Sequence, residues 1–360
     1  VLYFLLLVLY IYNSVIFSIT ALHEDGKTAW STLPSWMRPL ILSAPFCAVV
    51  TLLTCFGQTG AHLLKIKSGS ASAFHDQVIQ VLALPALYGG MAFSSMVRMY
   101  QFHVHTSDDP SFLNLPLQKQ RSVALSRSET CFFVGDMFEA WTLYHFGRMT
   151  LDVIEASLQR QSREGATEKR AEARGMMKSH YAIWAMVWAS VVIFLLVSFS
   201  ETAWSLYLLH IAYGTNDELE DSLSVFTGAG FIASGAALWN IAVVERNFHE
   251  NLEGFWPLLK FVTVKILVSF AYFQKGCFYF LVALKRTLPE EGQKLANSVP
   301  FFGQVMSMDQ AHFDLFYATL MVLECFLVSG LHLIAWPAGE DWYEKTAPDE
   351  KTALLKDEKA

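Results

Sequence analysis

Residues 256–284 read WPLLKFVTVKILVSFAYFQKGCFYFLVAL, from Trp256 to Leu284. This run is almost wholly apolar and aromatic. It exceeds the roughly 20 residues a helix needs to cross a bilayer. Lys260, Lys265, Gln274 and Lys275 interrupt it. A cation at membrane depth costs roughly 2.5 kcal/mol or more, so such groups pair with one another or face a cavity. The stretch therefore predicts a membrane span whose polar residues have partners on other spans.

Composition agrees. Hydrophobic residues make up 53% of the 360 positions and charged residues 16%, where a soluble domain carries about 25%. The charges cluster between apolar runs, as in a polytopic membrane protein. The net charge is −7, with the acidic excess in loops and tail. There is no basic arm and no nucleic-acid motif, which argues against nucleic-acid binding. Cys47, Cys55, Cys131, Cys277 and Cys325 all lie inside apolar runs and read as small buried hydrophobes.

Working outward, the predicted spans are Pro39–Leu64, Asp76–Met99, Ser128–Ile154, Tyr181–Ser200, Leu223–Val244, the opening stretch and Phe313–Trp336. The expected fold is an all-α membrane protein, a seven-helix bundle over 39–337. Val1–Leu22 is a further hydrophobic helix. It lacks an initiator Met and a basic n-region, so it is an extra span or the remnant of a longer N-terminus. Residues 155–180 predict a charged surface helix, and 338–360 a disordered tail. His103 and His105, two apart, share no helix face and read as an interfacial loop.

Lys and Arg placement sets the orientation. Arg160, Arg163, Lys169, Arg170, Arg174 and Lys178 put the segment after Ile154 in the cytoplasm. The Glu201–Asp221 loop has neither residue type and falls outside. Alternation then puts the Lys65/Lys67 loop and the C-terminus in the cytoplasm.

Asp136 and Glu139 lie about 60° apart on one helix face and about 12 and 16 Å in from its outer end. Lys265 lies about 10 Å in from the cytoplasmic end of its own helix, within about 5 Å of the depth of Glu139. Pairing is the cheapest way to hold both charges, with snorkelling of Lys265 the alternative. Lys260 reads as an interfacial anchor. Gln274 is about 180° from Lys265, so the two cannot line one narrow pocket. Glu324 sits near the middle of the last span, and His332 nearer the cytoplasm.

The same residues carry a resemblance. Asp136-Met-Phe-Glu139-Ala140, followed by Tyr144 and Phe146, resembles the D-x-x-E-A-x-x-x-Y-x-F pattern of the organic solute transporter subunit alpha / transmembrane protein 184 family, which includes plant Lazarus-like proteins. Pro257 to Lys265, with Gln274 nine residues on, resembles its P-x-x-K-F-x-x-V-K…Q helix. Glu324, His332 and Pro337 resemble its last span, and Pro85 with Tyr88 its second. The resemblance implies seven spans, an outside N-terminus and facilitated movement of amphipathic organic anions such as steroid conjugates. For the alpha subunits it also implies a single-span beta partner. The alpha subunits carry a cysteine-rich cytoplasmic stretch, whereas Glu155–Lys178 has no Cys. The broader family is therefore the better match. Glu350-Lys-Thr-Ala-Leu354-Leu355 resembles an acidic dileucine sorting signal, which suggests the endosomal or vacuolar membrane beside the plasma membrane.

The expected function is carriage of an amphipathic, lipid-like anion in a groove between helices. Its acidic end would lie near a Lys and its rings against Phe270, Tyr272 and Phe273. The alternative is an accessory, scaffold or trafficking subunit of a larger membrane complex. Neither needs a cofactor; bound lipid or sterol is the expected companion. A receptor reading fails for want of D-R-Y and N-P-x-x-Y motifs. No H-E-x-x-H, G-x-S-x-G or Walker loop points to an enzyme or a metal.

Overall fold

The computed structural model describes residues 1–68, 72–105, 117–164, 167–207, 242–252, 254–287, 301–340 and 342–343, with isolated positions between 225 and 240 and between 289 and 299. Every regular element among these residues is helical. α1 is Leu2–Leu22, α2 Glu24–Thr32, α3 Met37–Lys67, α4 Ser72–Leu82 and α5 Leu84–His105. The 48-residue α6, Leu117–Glu164, and α7, Thr167–Tyr207, follow. A short 3-10 turn at His249–Leu252 leads into α8, Pro257–Thr287. α9 is Phe302–Met306 and α10 Gln310–Ala335.

α5 packs against α1, α3, α6 and α10, while α8 packs against α6 and α10. Side-chain contacts fix the directions. Ser95 meets Ser128 at 2.5 Å, and Gln77 donates to Asp152 at 3.0 Å, so α6 runs antiparallel to α4 and α5. Thr202 donates to the Phe133 carbonyl, and a Cβ on Gly147 would touch Val187, so α7 reverses again. α8 is antiparallel to α10, with Phe278 stacked on Phe313 at one end and Lys260 beside Trp336 at the other. Asn240 donates to Ser190 at 2.8 Å, which places its segment beside α7.

Five helical stretches are long and apolar enough to cross a membrane: Leu2–Leu22, Met37–Lys67, Phe74–Val104 across the α4–α5 break, Arg174–Tyr207 and Gln310–Ala335. α6 and α8, of 48 and 31 residues, are also long enough but carry the charges that meet inside the bundle. The outward faces fit hydrocarbon. On α3, Leu42, Phe46, Val49, Leu53 and Phe56 form one exposed stripe, opposite the buried Ile41, Ala48 and Cys55. A stripe that large on a soluble monomer would have to be covered.

Several sequence expectations change. The span expected over Asp76–Met99 is broken at Ala83, ahead of Pro85, because proline lacks the N–H and crowds the preceding turn. His103 and His105, expected in an interfacial loop, end α5 instead, and there His103 Nε2 approaches Thr32 while its ring meets His312. Glu155–Lys178 is not a separate surface helix. Its two ends continue α6 and α7 beyond the apolar core, because Ala, Glu, Arg and Lys keep helical propensity outside the bilayer. The tail begins folded: Trp342 and Tyr343 are buried, and Glu340 ion-pairs. Glu350, Leu354 and Leu355 lie outside the described residues.

α1 docks through Leu6, Tyr10, Asn13, Phe17 and Thr20, a row at helical spacing. Tyr10 donates to the Ala86 carbonyl at 2.7 Å and Asn13 to Ser94 at 2.7 Å. The ring of Tyr10 lies over Gly89 and Gly90, where a Cβ on Gly90 would stand 2.9 Å from it. The small residues of α5 let α1 approach closely.

Candidate functional site

α8 carries polar side chains at Lys260, Thr263, Lys265 and Gln274, and each meets a different partner residue. Lys265 Nζ donates to Glu139 Oε1 of α6 at 3.0 Å, with Glu139 fully buried and Lys265 nearly so. The Lys265 ammonium also lies 5.7 Å from the Phe194 ring of α7. A cation–carboxylate pair at this depth offsets part of the cost of burying either charge alone. Glu139 Oε2 is buried with no hydrogen-bond partner among the described residues.

Three residues above Glu139 on α6, Asp136 accepts from the Tyr88 hydroxyl at 3.1 Å. Tyr88 lies flat on Gly135, which brings α5 close enough for that bond. Gln274 hydrogen-bonds Glu324 of α10. As the helical wheel requires, Gln274 and Lys265 address different helices. The side chains of Phe270, Tyr272, Phe273 and Lys275 lie outside the described residues.

Below Lys265, Thr263 joins α8 to α10. Its carbonyl faces His332 Nε2 at 3.2 Å, and its hydroxyl accepts from Trp336 Nε1 at 3.1 Å. Lys260, expected as an interfacial anchor, is covered by protein. It is fully buried, and its ammonium donates to both oxygens of Glu340 at 2.9 Å. It also stands 5.2 Å from the rings of Phe255 and Trp336 and 5.7 Å from Trp342. An interfacial position leaves Lys260 either to reach water or to be covered. Here the chain after Pro337 turns back and covers it.

That turn is held at a second point. His62 Nε2 faces the Trp336 carbonyl at 3.2 Å, so its proton sits there, and Nδ1 accepts from His75 Nδ1–H at 2.8 Å. The Tyr343 ring stacks on His75 at 4.2 Å, and burial pushes its phenol above the usual range. Glu340, Trp342, Tyr343, Phe255 and His75 were not singled out from the sequence. The one signal was an aromatic pair, Trp342-Tyr343, in an otherwise charged tail.

Tyr144 stands apart from these pairs. It packs on Trp188 at 4.6 Å and on Trp141 at 6.0 Å, and with Arg148 and Val191 lines a small cleft between α6 and α7.

From Lys260 to Gln274 the polar rungs climb about 21 Å at 1.5 Å per residue, most of a bilayer core about 30 Å thick. A family model described as organic solute transporter Ostalpha matches residues 122–340, which spans α6 to Glu340 and covers more than half of the chain. The chain belongs to the organic solute transporter Ostalpha family. All the polar pairs on α8 fall inside the matched region. The match does not extend to α1–α5, so Pro85 and Tyr88 lie outside it. Comparison with curated proteins and with solved structures found no match.

Membership makes the chain a multi-pass membrane protein of a solute-transporter family, which accords with its apolar helices.

Proposed function

We propose that this protein is a facilitated carrier of amphipathic, lipid-like organic anions, such as steroid conjugates, and that the solute moves along the α6–α8 seam. The observation that carries the reading is the Glu139–Lys265 pair: two buried charges of opposite sign that meet between α6 and α8 inside the family-matched region. Asp136 extends the polar face of α6 beside that pair, while Lys260, Gln274, Glu324 and His332 form a second polar row between α8 and the α10 end of the chain, and Tyr144 faces α7. The core is read as seven spans: α3, α4 with α5, α6, α7, the segment beside α7, α8 and α10. α1 adds a span before them. The C-terminus lies in the cytoplasm, and the host membrane is the plasma membrane or an endosomal or vacuolar one. Lipid or sterol fills the outer grooves. A single-span beta-type subunit is the proposed partner, by analogy with the family's alpha subunits.

The test is flux of a radiolabelled steroid sulfate into vesicles bearing purified protein. Lys265→Ala should lower uptake severalfold. Removing one member of a buried pair also costs about 3–5 kcal/mol of stability, so the double variant Lys265→Met/Glu139→Leu is needed beside it. The double variant should recover the melting temperature and still fail to transport. Recovery of both would make the pair structural. No flux from any variant, with stable co-purification in a larger complex, would favour the accessory-subunit reading.

A further inference from the structure

Glu340 meets Lys260 as a ligand would. Both carboxylate oxygens sit 2.9 Å from one ammonium, and three aromatic rings surround that ammonium. The exposures are unequal: the Lys260 side chain is 0% exposed and that of Glu340 17%. The cation belongs to the wall, and the anion reaches it from the open side. Glu340 also sits on a short return after Pro337, and its own neighbour orients it, with Trp342 Nε1 donating to Oε2 at 2.6 Å.

We propose that the Lys260 cage is an anion-binding site at the cytoplasmic end of the bundle, and that Glu340 is its resident, displaceable occupant. The ligand class is a carboxylate, sulfate or sulfonate on a flat apolar body. The acid replaces Glu340 on the ammonium, and the body lies against Phe255 and Trp336. When Glu340 leaves, Trp342 and Tyr343 lose their seats against Phe255 and His75, so filling the site opens the end that the return covers. The strap is thus an internal competitor. It keeps a desolvated lysine paired between solutes and sets a threshold concentration for entry. The ligand class rests on the carrier reading above, but the site is tested by binding rather than by flux.

The experiment uses the full chain in nanodiscs of phosphatidylcholine, with 1-pyrenebutanoate as probe and uncharged 1-pyrenebutanol as control. Energy transfer from tryptophan reports occupancy. Wild-type protein should bind the carboxylate more tightly than the alcohol. Glu340→Gln should tighten the carboxylate; a competitor filling the site nine-tenths of the time would give a gain of about tenfold. The alcohol, which meets no opposite charge at the ammonium, should gain less than the carboxylate. Lys260→Met in that background should abolish the preference. The exchange Lys260→Glu/Glu340→Lys keeps an ion pair for folding and should lose carboxylate binding. Equal response of wild type to both probes overturns the site, as does an exchange variant that keeps the preference. Should Glu340→Gln fail to fold, these two arms still decide. A Lys265→Met/Glu139→Leu protein that binds the probe but moves nothing would leave this site standing and the transport seam intact as a separate requirement.

Discussion

Glu139 and Lys265 were legible as partners because depth arithmetic left each few alternatives. A glutamate cannot snorkel far, and a lysine about 10 Å in reaches either water or a carboxylate. Lys260 was misread for the complementary reason: its partner, Glu340, is 80 residues away beyond the last span. Nothing in local pattern links the two. Glycine at 135 is another contact that only packing reveals. A Cβ there would stand 2.9 Å from the Tyr88 ring, so Gly135→Val must push Tyr88 off Asp136. Overpacking of this kind costs about 1–3 kcal/mol. The expected outcome is a lowered melting temperature in detergent, with Tyr88→Ala in the same chain recovering part of the loss. An unchanged melting temperature for Gly135→Val would mean that Tyr88 has room to move.

Among the helices, apolar runs marked existence well and boundaries poorly. The run Asp76–Met99 was visible, yet the break at Ala83 was not, because a proline in a membrane helix is compatible with either a kink or a stop. α6 and α7 outran their apolar cores by several turns because no proline interrupts their charged ends and Ala, Glu, Arg and Lys keep helical propensity there. α1 was the ambiguous element, an extra span or a remnant, and its polar contacts explain why it packs. Tyr10, Asn13 and the glycines of α5 form one seam. Gly90→Leu should therefore lift α1 from α5 while sparing the α6–α8 pair. Cysteines placed by Asn13→Cys and Ser94→Cys, whose native side chains meet at 2.7 Å, should cross-link with a short bis-thiol reagent. In the Gly90→Leu background the cross-link should disappear while the Lys265-dependent uptake persists. Persistence of the cross-link would show that α1 tolerates a bulky residue beneath it.

Taken whole, the molecule sorts its chemistry by depth. His62, His75, Trp336, Lys260, Phe255, Glu340 and Tyr343 gather at one end. Thr32, Trp36, His103, Gln304 and His312 gather at the other. The Lys/Arg-rich ends of α6 and α7 share the first end, since Gln77 bonds Asp152 there and Asn251 bonds Ser157. The orientation proposed from charge placement puts that end in the cytoplasm. Packing alone cannot assign it, because a bundle of helices holds together equally well either way up. The assignment can be checked directly. Four of the five native cysteines are buried and the fifth, Cys277, is half-buried, so they give a low background for thiol labelling. Ser31 and Ser68 are exposed at opposite ends. In intact cells, a membrane-impermeant maleimide should label Ser31→Cys at once and Ser68→Cys only after permeabilisation. The reverse pattern would invert the bundle and put the Lys260 cage on the outer face. Glu340 would then gate uptake from outside instead of exit to, or entry from, the cytoplasm. Labelling of both sites in intact cells would mean that one end is not shielded by a membrane at all, and the carrier reading would fall with it.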